Sequence, residues 1–279
     1  MTTSTTLAHR IARVGRRLGV RGWIAVLVAL LIAAVIAFPA LFANHDPQAL
    51  AVTSRLEPPS STFWFGTDEA GRDIYSRLVH GARISIGSAA LIVAIGCVFG
   101  TVYGAVSGWF GGRLDRALMR IVDVFLSFPY LVLAMAISAS MGRTITSAIV
   151  ALALVWWPSY ARLVRGMVLS LREQTHVLVA RTLGASEARL LQWHVIPHMF
   201  GELRTKVSLD LGYALLALTG LSFLGLGAQN PSPEWGLLVS NAKGYYLTAW
   251  WYMIAPGLVL FLVVLYTNWL SDLLDREDS

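Results

Sequence analysis

Charged residues are scarce in this chain of 279 residues. Only 14% of its residues are Asp, Glu, Lys or Arg, while 56% are hydrophobic. A soluble domain carries about 25% charged and about 45–50% apolar residues. Because so much apolar surface cannot be buried inside a core of this size, we expect lipid to be the solvent for much of the chain. The composition predicts an all-α integral membrane protein.

Cysteine is nearly absent, and so are the motifs of several enzyme classes. Cys97 is the single cysteine, which excludes an intrachain disulfide and a multi-cysteine metal site. The sequence has no Gly-rich phosphate loop ending in Lys-Ser or Lys-Thr, so the chain cannot hydrolyse ATP by itself. It also shows no convincing arrangement of a nucleophile with a histidine and an acid. We therefore expect a chain that is not an enzyme and carries no cofactor or metal of its own.

The net charge of +6 favours one kind of partner over another. A basic chain binds either nucleic acid or an anionic membrane surface. Here the basic residues lie between apolar runs and not on a soluble face. We therefore expect membrane lipid, and no nucleic acid, as a partner.

Uncharged runs predict about six membrane-spanning helices, since a span needs about 20 apolar residues. The runs are Trp23–Phe42, Ile84–Val106, Met119–Ser140, Thr144–Ala161, Val207–Gly227 and Trp250–Ser271. The first could also be a secretory signal, but its length favours a retained helix. The predicted segments are residues 1–22 (cytoplasmic), 23–43 (helix 1), 44–83 (external loop), 84–272 (core with helices 2–6 and an internal segment, 162–206) and 273–279 (tail).

The distribution of basic residues predicts the orientation. With the N-terminus inside, most of the 22 basic residues fall on the cytoplasmic side. They precede helix 1, flank the turn between helices 2 and 3, and populate the segment between helices 4 and 5. Both termini are therefore predicted to be cytoplasmic.

The internal segment predicts two short helices around a glycine turn. Gly184 ends the first, since glycine readily adopts positive φ at a helix end. Ser186 caps the second and Glu187 lies at its positive end. We expect this second helix to stop before Pro197. The pattern alone fits either an interfacial helix pair on anionic lipid or a docking element for a cytoplasmic partner.

The segment from Val179 to Ser186, followed by His194 to Pro197, resembles the Glu-Ala-Ala loop of bacterial binding-protein-dependent ABC transporter permeases, in the dipeptide/oligopeptide/nickel group. Leu178 and Val179 replace the Glu and first Ala that name the loop. Further segments resemble the C-type subunits of that group: Phe65–Asp73, Gly108–Arg116, Asp123–Pro129, Leu221–Gly227 and Pro231–Gly236. The resemblance covers residues 20–272 and implies the fold of a type I ABC importer permease.

The resemblance also implies which residues function and with which partners. The ATPase-coupling positions would be Val179, Ala180, Arg181, Gly184, Ala185, Ser186, Glu187, Arg189, Ile196 and Pro197, and the external motif would be Gly66, Thr67, Asp68, Gly71, Arg72 and Asp73. The implied partners are a homologous B-type permease, two cytoplasmic ATPases holding ATP and Mg²⁺, and an external solute-binding protein. The implied location is the bacterial inner membrane, and the implied cargo is a dipeptide, an oligopeptide or a similar small solute, with a nickel chelate or another non-peptide solute as the alternative. An ion-coupled secondary transporter and a scaffolding membrane protein are the rival classes.

Some residues allow a structural and a functional interpretation. Asp68, Glu69 and Asp73 suit a folded turn with ion pairs better than a calcium loop. His194 and His198 have the i, i+4 spacing of zinc ligands, but Pro197 lies between them. Asp123 and Asp210 are expected to form ion pairs, with Arg120 and with Lys206 or Arg204, and not a proton relay. Small residues on helices 2 and 5 are expected to allow close packing: Gly96, Gly100, Gly104, Ser222, Gly225 and Gly227.

Overall fold

The computed structural model describes residues 4–278, and the side chains of residues 19–275. Within that part the chain is helical, with one isolated bridge between Thr67 and Asp73 and no other strand pairing. The ends of the predicted cytoplasmic segments, residues 1–3 and 279, lie outside the described residues. The helices are α1 (Ser4–Ala37), α2 (Pro39–Phe42), α3 (Ile74–Phe110), α4 (Gly112–Leu126), α5 (Tyr130–Met141), α6 (Ile145–Leu171), α7 (Thr175–Thr182), α8 (Glu187–Leu190), α9 (Ile196–Phe223), α10 (Trp235–Ala242) and α11 (Trp250–Asp278).

The spans agree in number with the uncharged runs. Five helical segments of the described chain are long and apolar enough to cross a membrane, and α4 with α5 makes a sixth if the pair is one span. The expectation of a continuous third helix is wrong, because α4 and α5 meet at 85°. Pro129 is the last residue of the break, and the residue before a proline is disfavoured in helical conformation.

Helix boundaries differ from the ends of the runs. α3 begins at Ile74, inside the predicted external loop 44–83, because the buried Arg77 and the exposed Arg83 interrupt the uncharged run without ending the helix. α6 continues to Leu171 and α9 starts at Ile196. Both long helices therefore extend into the predicted internal segment 162–206, and only its middle part lies between them. α9 ends at Phe223, which leaves Gly225 and Gly227 in the following turn and not on the helix.

Glycines on one face of α3 bring this helix against α6. A Cβ at Gly96 would meet Trp156, and one at Gly104 would meet the backbone of Ala161 inside van der Waals contact. The same holds at Gly100 and Gly108 further along the face. Small residues at such spacing let membrane helices approach closely. The expected role of the α3 glycines in packing within the chain is therefore confirmed.

Candidate functional site

The segment between α6 and α9 forms a helical hairpin, which we call the connecting hairpin (residues 175–197). Its first arm, α7, ends in a Schellman motif. Gly184 N–H donates to Arg181 O over 3.0 Å, and Ala185 N–H donates to Ala180 O over 3.1 Å. Gly184 has φ +85°, so the expected left-handed turn is confirmed.

The second arm begins as expected at Ser186. The Ser186 hydroxyl accepts from Arg189 N–H over 3.4 Å, and Glu187 occupies the first turn. Glu187 also binds Arg181 of the first arm through two bonds of 3.1 Å each. The two arms are thus joined by a bidentate ion pair across the glycine turn.

The hairpin is anchored on the rest of the chain by apolar side chains. Val177, Leu190, Val195 and Met199 are fully buried in the main core cluster. Ala180 and Ala185, which flank the turn, pack against the same cluster. The small side chains at these two positions are therefore explained by the close packing that the Schellman motif imposes between them.

The expectation that the second arm stops before Pro197 is wrong. A π-helical turn, Leu191–Val195, joins α8 to α9, and Pro197 lies in the first turn of α9. A proline in a helix lacks an N–H donor and crowds the carbonyl four residues earlier. The wider π turn leaves room there, so the helix continues from Glu187 to Phe223. Ile196, half-buried, packs on the core.

The tip of the hairpin exposes apolar side chains. Leu183 is 82% exposed, and Val179 is 50% exposed beside it. Leu178, Trp193 and Phe200 are also exposed large hydrophobic residues. Arg189 is exposed on the second arm. Exposed apolar side chains on both arms make the hairpin a candidate surface for binding another molecule.

Two arginines attach the hairpin to α3. The guanidinium carbon of Arg181 lies 5.5 Å from the ring centroid of Trp109, a cation–π contact. Arg172, just before α7, donates to Gly108 O over 2.9 Å. Sequence reasoning missed Trp109, since which aromatic residue meets Arg181 depends on how α3 packs against α6.

A second compact site is the Gly66–Asp73 turn, which precedes α3. Asp68 is fully buried, and its carboxylate accepts from Arg72 Nε over 2.7 Å. The buried Arg77 lies 3.6 Å from the same carboxylate. Asp73 caps α3 by accepting from Ser76 N–H over 3.2 Å. The expected folded turn with local ion pairs is therefore confirmed.

The Gly66–Asp73 turn and Arg77 of α3, which lies against it, also bind distant parts of the chain. Glu69 accepts from the Tyr252 hydroxyl of α11 over 2.5 Å, and Arg77 donates to Ser232 O over 3.0 Å. Beyond Ser232, the Glu234 carboxylate caps α10, and its burial raises the pKa of that carboxyl. The turn thus joins the ends of α3, α10 and α11.

Metal binding gains no support at either site. The carboxylates of the Gly66–Asp73 turn accept from arginine, hydroxyl and backbone donors, and Asp73 also lies 3.2 Å from His45 Nδ1. His176 of α7 lies near the two histidines of the second arm, with ring centroids 6.3 Å from His194 and 5.0 Å from His198. Among the described residues, no group of three His, Cys, Asp or Glu side chains is arranged to hold a metal ion.

Asp123 and Asp210, each on a helix that contributes to a candidate span, form ion pairs. Asp123 pairs with Arg162 over 2.6 Å, where the sequence had suggested Arg120. Asp210 pairs with Lys206 over 3.1 Å, as expected from the i, i+4 spacing. Asp210 also accepts from Trp156 Nε1 over 3.1 Å, a contact that sequence reasoning missed.

Comparisons with known proteins agree with this architecture. A probable D,D-dipeptide transport system permease protein of Escherichia coli strain K12 is 44% identical over 257 residues, covering 91% of this chain and 86% of that protein. A nickel transport system permease protein of the same strain is 39% identical over 253 residues, covering 89% of this chain and 91% of that protein. A glutathione transport system permease protein of Pectobacterium atrosepticum is 38% identical over 247 residues, covering 88% and 82%.

Solved structures share the fold. An inward-facing structure of the MetNI methionine ABC transporter aligns with a TM-score of 0.59 at 18% identity, covering 72% of this chain and 96% of that one. The model of the family described as "Binding-protein-dependent transport system inner membrane component" matches residues 100–277, more than half of the chain. The chain therefore belongs to this family, whose members are the membrane-spanning permease subunits of ABC importers, and it is a transport subunit, not an enzyme.

Proposed function

We propose that this permease couples ATP hydrolysis on separate ATPase subunits to solute import, and that the connecting hairpin is the surface that binds them. The observation that carries the proposal is Leu183, which is 82% exposed at the tip of a hairpin that is otherwise anchored by buried residues. An apolar side chain held out on a rigid turn gains free energy by entering a pocket on a partner.

The proposed mechanism uses the binding energy of ATP. Two ATPase subunits holding ATP and Mg²⁺ close around the nucleotides, and the connecting hairpins of two permeases move with them. A ligand shifts a conformational equilibrium only by its different affinity for the two states. ATP thus supplies the free energy that alternates access to a pathway between this chain and a homologous B-type permease.

The proposed cargo is a dipeptide or oligopeptide delivered by an external solute-binding protein. Support comes from the relatives, whose names cite D,D-dipeptides and glutathione. A relative of similar identity is named for nickel, so a nickel chelate is the alternative cargo.

The interface is tested by Leu183→Ser, with Leu247→Ser as the matched control. Leu247 is also 82% exposed but lies between α10 and α11, far along the chain from the hairpin. Burying a leucine is worth about 1.5–3 kcal/mol, so Leu183→Ser should weaken ATPase binding about tenfold or more. Titration of purified ATPase onto the permease pair in nanodiscs measures this affinity. Equal affinities for wild type and Leu183→Ser would contradict the proposed interface.

We also propose that the hairpin and both termini are cytoplasmic. Single cysteines at Ser60 and Arg189, each in a Cys97→Ala background, should react with impermeant reagents from opposite sides of the membrane. Both positions are exposed in the chain. Labelling of both from outside intact cells would overturn this orientation.

A further inference from the structure

The second arm of the connecting hairpin is the start of a long continuous helix. The helical segment Glu187–Phe223 contains 37 residues, which corresponds to a length of about 55 Å. Movement at Glu187 is therefore carried into the membrane by a single body. Where this helix is fastened to its neighbours determines which other spans move with it.

Asp210 fastens this helix to α6. It is 5% exposed and accepts from Trp156 Nε1 over 3.1 Å. Lys206 balances its charge over 3.1 Å, and the ammonium of Lys206 lies 4.7 Å from the ring centroid of Tyr160. We call Trp156, Lys206 and Asp210 the clasp. Since a buried carboxylate is costly unless paired, this geometry is strongly specified.

α9 is fastened to α11 at nearly the same level. The buried Ser208 hydroxyl donates to Thr267 O over 3.0 Å, and Ser271 donates to Thr205 O over 3.0 Å one turn away. Gly212 allows close approach, because a Cβ there would meet the Thr267 hydroxyl at 2.6 Å. The clasp thus lies where the long helix contacts α6 and α11 together.

Trp156 also reaches the broken span. Its ring lies 5.8 Å from the Tyr130 ring, edge to face. Tyr130 is the first residue of α5, directly after the 85° break, and is 50% exposed. A chain of contacts therefore runs from the long helix through Asp210 and Trp156 to the break between α4 and α5.

We propose that Asp210 is a positioning residue which, by holding Trp156 against Tyr130, makes the broken span follow the connecting hairpin. This inference rests on the proposed function and adds the route by which hairpin movement reaches the pathway. Loss of the clasp uncouples the two processes: the hairpin still engages the ATPases, but fewer solute molecules cross for each ATP hydrolysed.

The test measures solute imported per ATP hydrolysed, using the whole complex in proteoliposomes with its binding protein and radiolabelled dialanine. Trp156→Phe keeps a ring beside Tyr130 but removes the hydrogen bond to Asp210. We expect its ATP hydrolysis to stay within about twofold of wild type while the import ratio falls about tenfold, as for loss of a hydrogen bond to a charged group. Trp157→Phe is the matched control, since that indole packs on Phe99, Tyr103 and Phe125 instead.

Two Asp210 variants sharpen the result. Asp210→Ala also leaves Lys206 unpaired, so it should lower the ratio at least as much as Trp156→Phe. The double variant should be no worse than Asp210→Ala, because Trp156→Phe removes only a contact that Asp210→Ala has already removed. Asp210→Asn keeps a hydrogen-bond acceptor for Trp156, so its ratio of solute imported per ATP hydrolysed should stay closer to wild type than that of Asp210→Ala. This variant keeps the inference testable if Asp210→Ala fails to assemble.

The outcomes separate this inference from the proposed function. A wild-type complex that imports nothing with ATP would count against the proposed function. A coupled wild type with an unchanged ratio in Trp156→Phe would overturn the clasp. The clasp would also be overturned by equal losses of import and of ATP hydrolysis, or by additive losses in the double variant, because a merely structural role predicts both results.

Discussion

The Gly66–Asp73 turn and the connecting hairpin have similar backbones at the bend, but one buries its charged side chains and the other exposes them. Each has a glycine with positive φ at its bend, Gly71 at +78° and Gly184 at +85°. In the first, the carboxylate of Asp68 is fully buried and paired within the chain. In the second, the ion pair is exposed, and so is the apolar tip at Leu183.

The difference indicates where each turn finds its binding partners. The Gly66–Asp73 turn bonds to α11 and, through its partner Arg77, contacts the segment before α10, so its interactions are made inside the chain. The connecting hairpin buries its anchors and leaves apolar area in solvent, which a second protein must cover. One turn holds the helices together, and the other presents a surface.

The largest expected effect comes from breaking the buried pair. Asp68→Asn leaves Arg72 and Arg77 without their shared carboxylate, and removal of one partner from a buried pair costs about 3–5 kcal/mol. The matched change in the hairpin, Glu187→Gln, removes an exposed pair worth about 0–1 kcal/mol. Denaturant unfolding in detergent measures both. Similar losses for the two variants would break the comparison.

The two glycines give the next effect in size. A Cβ at Gly71 would lie inside van der Waals contact with Ala51 O, whereas one at Gly184 would meet nothing within 4 Å. Gly184→Ala should therefore cost only the backbone strain, about 1–2 kcal/mol. Gly71→Ala should cost about 1–3 kcal/mol more, from overpacking. The free energy of unfolding is measured for both variants. An equal loss at both positions would contradict the expected overpacking against Ala51 at Gly71.

The smallest effect separates charge from geometry at two arginines: Arg72, which bridges the Asp68 and Glu69 carboxylates, and Arg181, which binds the Glu187 carboxylate in bidentate fashion. Lysine keeps the charge but not the planar fork of arginine. Arg72→Lys should cost about 1–3 kcal/mol, because Arg72 is buried between Asp68 and Glu69. Arg181→Lys, at an exposed pair, should cost less than about 1 kcal/mol. Denaturant unfolding in detergent measures both variants. A larger loss of unfolding free energy for Arg181→Lys than for Arg72→Lys would contradict the claim that the buried pair contributes more to stability.

The sequence predicts much of this architecture where a local rule decides the outcome. Lipid-length apolar runs locate the spans, and the Gly184 turn and Ser186 cap follow from backbone preferences. The start of α3 is missed because Arg77 and Arg83 end the uncharged run in the sequence. In the fold, Arg77 lies 3.6 Å from the Asp68 carboxylate, and the helix continues through both arginines.

Proline explains two further errors of the sequence prediction: the third helix, expected to be continuous, is broken, and the second arm of the hairpin, expected to end before Pro197, continues. Pro129 lies within a break of 85°, while Pro197 lies in a helix that continues. The difference is the π turn Leu191–Val195, whose wider backbone accommodates Pro197. Neither this turn nor the meeting of Trp156 with Asp210 is visible in the sequence, because both depend on how α6 and α9 pack.

The energy source is the most direct test of the account. Proteoliposomes holding the whole complex, with loaded binding protein on the side opposite the connecting hairpin, are given either ATP on the hairpin side or a proton gradient alone. We predict uptake with ATP, increased by the loaded binding protein, and none with the gradient, because this chain has no nucleotide motif and Asp210 is held in an ion pair. Robust uptake driven by the gradient without ATP would make this chain a secondary transporter and contradict the central claim.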